Sequence, residues 1–141
     1  MNNLTLTIIK PDAYKSSLEG LILTRFVLEG FKPIAMKYKM LSLEEAKEFY
    51  SVHKEKPFFD DLIDFMTSGP LVICALEKPN AVKDFRKLIG DSDPKLAEPG
   101  TIRSLYGKGM PENAIHGSDS NENAQKEILF FFPELIQKFK K

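Results

Sequence analysis

Apolar and polar residues alternate along Leu4–Lys10, "LTLTIIK", with Leu4, Leu6 and Ile8 against Thr5, Thr7 and Ile9 until Pro11 ends the run. That period of two predicts a strand with Lys10 at its end. Leu18, Leu21, Ile22 and Phe26 then follow helical spacing up to Gly30, and Ser16 with Glu19 offers a capping box for that helix. "KPIAMKYKM" alternates again and predicts a second strand, after which Ser42 and Glu45 form a second capping box for a helix through Tyr50. Phe59, Leu62, Ile63 and Met66 mark a helix that stops before "TSGP". "PLVICALE", apolar on both faces, predicts a strand in the middle of a sheet. Val82, Phe85, Leu88 and Ile89 predict a helix closed by Gly90. Glycines and prolines break up the stretch from there to Asn113, a length of irregular chain that in a small domain is usually functional. "NAIH" is a short strand candidate, and Ala124, Ile128, Leu129 and Phe131 predict a last helix with Ser120 or Asp119 as its N-cap.

The order β, α, β, helices, β, α, long loop, β, α predicts an α+β fold, a ferredoxin-like split βαβ sandwich. Its four-stranded, mostly antiparallel sheet is expected to carry helices over one face. No internal repeat or domain boundary interrupts the pattern, so the expectation is one domain over residues 1–141. A chain of that length buries roughly 70% of the surface it exposes when unfolded, enough to fold alone.

Charge narrows the partners. Twenty Lys and Arg against 20 Asp and Glu give a formal net charge of +0, which supplies no long-range field for nucleic acid or an anionic membrane. Any polyanion site must therefore be local. The single cysteine, Cys74, sits in the apolar strand without an intrachain partner, which fits a reducing compartment and a buried, unreactive thiol. No apolar run reaches the roughly 18 residues of a membrane span and the first residues lack a signal-peptide pattern. The expectation is a cytoplasmic protein.

His116, in "ENAIHGSDS", is the residue most open to chemistry. An ordinary imidazole titrates near ~6.5 and at neutral pH offers a lone pair to a metal or an electrophile. Metal binding is the poorer fit, because no further His, Cys or carboxylate pair stands at zinc-ligand spacing. A hydrolytic triad fits no better: Ser118 is nearly adjacent and there is no G-x-S-x-G elbow. Nucleophilic attack by the imidazole and a hydrogen-bonded structural histidine both remain open on the residues alone. Lys10 at a strand end, Arg86 on a helix and Arg103 in the long loop could each contact phosphate. With no G-x-x-x-x-G-K-[ST] and no G-x-G-x-x-G, a nucleotide would be held by side chains and metal rather than by a glycine cradle.

"NAIHGSDS" resembles the core motif of the nucleoside diphosphate kinases, and "TIIKPDA", "KPFFDDL", "SGP" and "PGTIR" follow that family's order along nearly the whole chain. The resemblance implies ping-pong transfer of the γ-phosphate of a nucleoside triphosphate, mainly ATP, to a nucleoside diphosphate through a phosphohistidine. It implies that His116 is the nucleophile and that Glu127 holds its other ring nitrogen. Lys10 is similar to the lysine that reaches the sugar hydroxyl and phosphate, with Tyr50 beside it. Arg86 and Arg103 match phosphate-binding arginines, and Ser92 stands where a threonine of the same role is common. Asn113 matches the group at the ribose 3′-hydroxyl, and Phe58 the aromatic under the base, with Leu62 nearby. Mg²⁺ is implied on the nucleotide phosphates, with no metal site in the protein.

The same resemblance leaves His53 as a helix-surface residue. It makes Gly117 the gap that lets the backbone approach the nucleophile, and Ser118 and Asp119 the residues that orient the loop. "SLYGKGMPE" after Arg103 departs from the family pattern, and the chain ends soon after "FFFPELIQKFKK", as in the short bacterial-type members. Expected partners are ATP and nucleoside diphosphates, no membrane, no specific nucleic acid and other copies of the chain, a tetramer rather than a hexamer. A non-enzymatic ferredoxin-like binding or regulatory domain is the alternative compatible with the same element order.

Overall fold

Leu4–Ile9 form β1, and all six residues are buried, the threonines included. A strand covered on both faces belongs inside a sheet, and β1 does pair on both edges. In the computed structural model, which describes residues 3–140, β3 (Leu71–Glu77) runs antiparallel to it from Leu4↔Glu77 to Ile9↔Val72. On its other edge lies β4 (Ile115–Gly117), antiparallel and only three residues long. β2 (Lys32–Lys39) pairs antiparallel with the far side of β3, with a register irregularity between Pro33 and Ala35, and the order is β2-β3-β1-β4. This is the four-stranded antiparallel sheet of the α+β expectation.

The helices are α1 (Pro11–Lys15), α2 (Glu19–Leu28), α3 (Leu43–Phe49), α4 (Phe59–Met66), α5 (Ala81–Ile89), α6 (Ile102–Tyr106) and α7 (Asn121–Phe131). Short 3₁₀ segments follow α3 at Ser51–His53 and α7 at Pro133–Phe139. They cover both faces of the sheet, not one. Leu4, Leu6, Ile8, Leu71, Ile73 and Ala75 pack against Ala46, Ile63, Met66, Ile128 and Phe131 of α3, α4 and α7. Ile9, Val72, Cys74 and Leu76 pack on the opposite face against Ile22, Phe26, Phe85, Leu88, Ile89 and Ile102 of α2, α5 and α6. A strand that is apolar on both sides leaves no other solution, since an open face would expose Val72, Cys74 and Leu76 to water.

Local signals worked where nothing else competed. The Ser42–Glu45 capping box forms in both directions, at 3.1 and 3.0 Å, and the Ser120 hydroxyl caps α7 by accepting from Asn123 N at 3.0 Å. The Ser16–Glu19 box does not form. Pro11, pre-set for a helix start, opens the extra helix α1, which closes at Ser16; Ser17 turns left-handed at φ 60, and α2 starts from Leu18 without a side-chain cap. Only Ile22 and Phe26 of α2 are buried, while Leu21 is 58% exposed. The long irregular stretch is broken by α6, whose Thr101 side chain accepts from Ser104 N at 3.3 Å.

Gly117 is required by packing. A Cβ there would lie 2.8 Å from Ile89 Cδ1 and 3.1 Å from Phe85 Cδ2, so α5 closes on β4 only because residue 117 has no side chain. Gly117→Ala is therefore expected to cost about 1–3 kcal/mol of unfolding free energy. Urea denaturation measures it, and an unchanged midpoint would show that α5 yields freely.

Candidate active site

Strand alternation divides the three residues of β4 between the faces. Ile115 and Gly117 turn toward α5, and His116 turns to the other side, where the Phe49 ring meets it edge-on at 5.4 Å and Tyr50 stands at 6.4 Å. The imidazole is largely enclosed, its side chain 16% exposed. Nε2 lies 2.9 Å from Glu127 Oε1, and that oxygen also accepts from Ser118 Oγ at 2.7 Å. Ser118 Oγ in turn accepts the Leu6 amide at 3.1 Å. An ionised carboxylate only accepts, so in the neutral ring the proton sits on Nε2 and the lone pair on Nδ1. Backbone, hydroxyl, carboxylate and imidazole thus form one fixed chain, with the lone-pair nitrogen of the neutral ring at its free end.

A cleft of about 510 Å³ opens beside the ring. Tyr50, Arg86, Ser92, Arg103, His116 and Glu127 all border it, drawn from α5, α6, α7, β4 and the connections after α3 and α5. Arg86 is exposed, whereas Arg103 is 8% exposed and tied by its guanidinium to Gly90 O at 3.0 Å and Ile115 O at 2.8 Å. Burial first, then the charge of Arg86, pushes the Arg103 pKa down to about 10, which leaves it charged at neutral pH. The Tyr50 hydroxyl is buried with no hydrogen-bond partner, and burial together with Glu127 drives its pKa upward, so it stays a neutral phenol.

Lys10 and Asn113 meet each other and reach the cleft through Ser92. Lys10 Nζ donates to Asn113 Oδ1 at 2.7 Å and to Pro111 O at 3.4 Å, and Asn113 Nδ2 donates to Ser92 O at 2.7 Å. Phe58, at the start of α4, is 48% exposed and lies outside the cleft wall; Leu62 is buried in the core beneath α4. His53, set aside in the sequence as a helix-surface residue, closes the 3₁₀ turn and lines the cleft. Its ring is 6.5 Å from Tyr50 and 5.6 Å from Phe58, so it bridges the wall to that aromatic. Its position between Tyr50 and Phe58 in the sequence was the available sign. Among the described residues no group of three or more His, Cys, Asp or Glu gathers at one point. No helix there is long and apolar enough to cross a membrane. Cys74 is buried, and burial raises its thiol to about 12.

Residues 3–136 match the family model described as nucleoside diphosphate kinase. The chain belongs to the nucleoside diphosphate kinase family. It is 55% identical over 130 residues to the nucleoside diphosphate kinase of a Nitratiruptor species, covering 92% of this chain and 95% of that one. It is 52% identical over 132 residues to that of Helicobacter pylori, covering 94% and 96%. The solved nucleoside diphosphate kinase of Aquifex aeolicus superposes with a TM-score of 0.90 at 47% identity, over 92% of this chain and 94% of that one. The Halobacterium salinarum enzyme in complex with CDP superposes at 0.89 with 39% identity, over 94% and 88%. The enzyme reading of the sequence, a phosphotransferase of the nucleoside diphosphate kinase type, stands, and the alternative of a non-enzymatic ferredoxin-like domain falls.

Lys10 supplies a pH signature. Burial, then the charge of Arg103, lowers its pKa to about 8, against smaller opposing effects of Asp12 and Glu112. The folded value lies below the unfolded one, so the buried ammonium costs stability at neutral pH, a cost that fades as pH rises from about 8 toward the usual lysine range. Binding of a polyphosphate has the opposite sense, since it uses the charged form. The kcat/KM for the nucleoside triphosphate is expected to bend downward above about pH 8, and Lys10→Met to lose that bend. A wild-type profile flat to the arginine range would contradict it.

Proposed function

We propose that the chain performs nucleoside diphosphate kinase chemistry through His116. The observation that carries the reading is the 2.9 Å pairing of His116 Nε2 with Glu127 at the wall of a cleft that also holds Arg86 and Arg103. The Nδ1 lone pair attacks the γ-phosphorus of ATP, the bond to the bridging β–γ oxygen breaks, and the diphosphate leaves with that electron pair. The ring gains positive charge as it attacks, and the Glu127 carboxylate on Nε2–H stabilises it. In the second half-reaction a terminal oxygen of another nucleoside diphosphate attacks the same phosphorus and returns the electrons to Nδ1. Phosphoryl transfer calls for positioning and neutralisation of spread charge more than for covalent help, and Arg86, Arg103 and Lys10 offer both.

In this reading Asn113 takes the ribose 3′-hydroxyl with Lys10, Ser92 a phosphate oxygen, and Tyr50 stays beside the lysine. Phe58, exposed at the far side of His53, takes the base, with Leu62 supporting it from the core. The cleft wall carries Arg86, Arg103 and Ser92, donors suited to phosphate oxygens, and its carboxylates Glu48, Asp119 and Glu127 belong to no cluster of three or more metal-ligating groups among the described residues. Mg²⁺ would come with the nucleotide, where it would neutralise part of the phosphate charge. The match over residues 3–136 supports a single domain, and a lone buried cysteine supports a cytoplasmic setting.

Incubation with γ-labelled ATP tests the mechanism. The wild-type chain is expected to take acid-labile, base-stable label and pass it to any nucleoside diphosphate, and folded His116→Ala to take none. Glu127→Ala is expected to slow labelling by roughly 10²- to 10⁴-fold, the range of a positioned acid-base partner. Label on a folded His116→Ala chain would end the proposal.

Assembly is the second part of the proposal. Leu21, Val27 and Leu28 of α2 and Met36 and Tyr38 of β2 are apolar and more than half exposed, and β2 is an edge strand with unpaired backbone groups. These features favour a symmetric dimer through α2 and β2. Because the loop "SLYGKGMPE" departs from the family pattern, two dimers forming a tetramer are favoured over a hexamer. Light scattering is expected to report the mass of four chains; six would refute the tetramer, and a stable monomer the dimer too.

A further inference from the structure

Ala114, fully buried between Asn113 and Ile115, has φ 76, a left-handed conformation that a residue with a Cβ adopts at a cost. Ile115 N–H donates to Asn113 O at 2.9 Å, which closes a three-residue γ-turn of the rare positive-φ kind around Ala114. The strain therefore sits between the two residues whose placement matters most, Asn113 one step before it and His116 two steps after. Strain of this kind persists only where the surroundings over-determine it.

Both backbone groups of Ala114 are held from a single place, the junction of β1 and α1. Its carbonyl accepts Lys10 N at 2.9 Å, and its amide donates to Asp12 Oδ2 at 3.0 Å. Pro11 lies between those two holders at the first position of α1, so their separation is set by a residue with fixed φ. Asp12 forms no ion pair among the described residues; neighbouring Lys10 places its Nζ on Asn113 instead. Burial pushes the Asp12 carboxyl above the usual aspartate range, and the Ala114 amide pulls it back. Asp12 does not border the cleft. As the second residue of a five-residue helix it could also serve that helix alone, and the experiment below separates the two roles.

We propose that Asp12 is a positioning residue whose carboxylate latches the strained turn at Ala114 and so holds Asn113 and His116 in register for phosphoryl transfer. The inference rests on the roles given above to those two residues. Loss of the latch lets Ala114 relax toward a negative φ, which rotates the chain on either side of it. Glycine at 114 adopts the observed φ without penalty and needs no latch.

The test measures single-turnover labelling of His116 by γ-labelled ATP, with the thermal midpoint recorded for each full-length variant. Asp12→Ala is expected to slow labelling by about 10²-fold, the scale of a small misplacement of a reacting group. Ala114→Gly alone keeps the wild-type rate, and added to Asp12→Ala it restores most of that rate. Asp12→Asn, which retains an acceptor and loses the charge, also keeps the rate. Asp12→Ser, too short to reach Ala114, replaces the alanine variant should that one not fold. A role in α1 alone would lower the midpoint and leave the rate of folded protein unchanged. Full-rate labelling by Asp12→Ala, or a double variant no faster than Asp12→Ala, overturns the latch. A wild-type chain that takes no label on His116 overturns the reading of that histidine and this inference with it, whereas normal wild-type labelling with an indifferent Asp12 overturns the latch alone.

Discussion

The site depends on a strand of three residues. β4 pairs with β1 only at Thr7↔Gly117, Ile8↔His116 and Ile9↔Ile115, and the two-residue period of that pairing assigns every function on it. Ile115 and Gly117 go to the face beneath α5, and His116 goes to the face beneath α3 and α7. A slip of one position would bury the imidazole under α5 and turn Ile115 into the cleft. Three ladder positions are few, and side chains reinforce them: Thr7 Oγ1 donates to His116 O at 2.8 Å, Arg103 binds Ile115 O, and Ser118 joins Leu6 to Glu127. The buried threonines of β1, anomalous in a strand that is apolar on both faces, thereby gain a reason at position 7. For Thr5, whose hydroxyl is buried without a partner, the structure offers none.

The same register explains how a glycine far from any sharp turn shapes the chemistry. Because Gly117 allows Ile89 and Phe85 to come close, α5 lies near enough to β4 for Arg86, on the same helix, to border the cleft with His116. Packing on one face of the sheet thus sets the distance between a cation and an imidazole that points to the other face. The connection after α5 returns through Ser92, and its carbonyl holds the Asn113 amide. Core and site share their atoms here.

Much of this was legible in the chain because short-range chemistry determined it. Strand alternation gave β1 and β2, a run apolar on both faces gave β3, the helical stripe Val82, Phe85, Leu88 and Ile89 gave α5, and Ser42 with Glu45 gave a helix start that needs no tertiary context. The site residues were legible through a motif, not through periodicity: nothing in the spacing of Arg86, Arg103 and His116 says that they meet. What escaped was long-range or conformational. Thr101 caps α6 inside a stretch rich in glycine and proline, which masks a five-residue helix. Pro11 outcompeted the Ser16 box because a proline at a helix start acts earlier in the chain and places Ser16 at a terminus of the opposite kind. His53 looked idle because its partners, Tyr50 and Phe58, stand on opposite sides of it along the chain, and only the 3₁₀ turn brings their rings around it.

Arg86 and Arg103 border the cleft, together with the carboxylates of Glu48, Asp119 and Glu127, and Lys10 reaches it through Asn113 and Ser92. Arg86 depresses Arg103, Arg103 depresses Lys10, and burial lowers both of the latter. Asp91 offsets part of the effect on Arg103, and Asp12 and Glu112 part of that on Lys10, while Glu127 is held by His116 and Ser118 and Asp12 accepts from the Ala114 amide. A group whose charged form is disfavoured in the empty protein gains the most from an incoming polyanion, because the ligand removes a repulsion in addition to adding an attraction. In the role proposed for Lys10, the stability lost by burying it charged is recovered when phosphate oxygens bind. The Tyr50 phenol, kept neutral by burial and by Glu127, adds no charge of its own. In the proposed transfer to His116, cations already held in place meet the charge developing on the phosphoryl oxygens without rearranging.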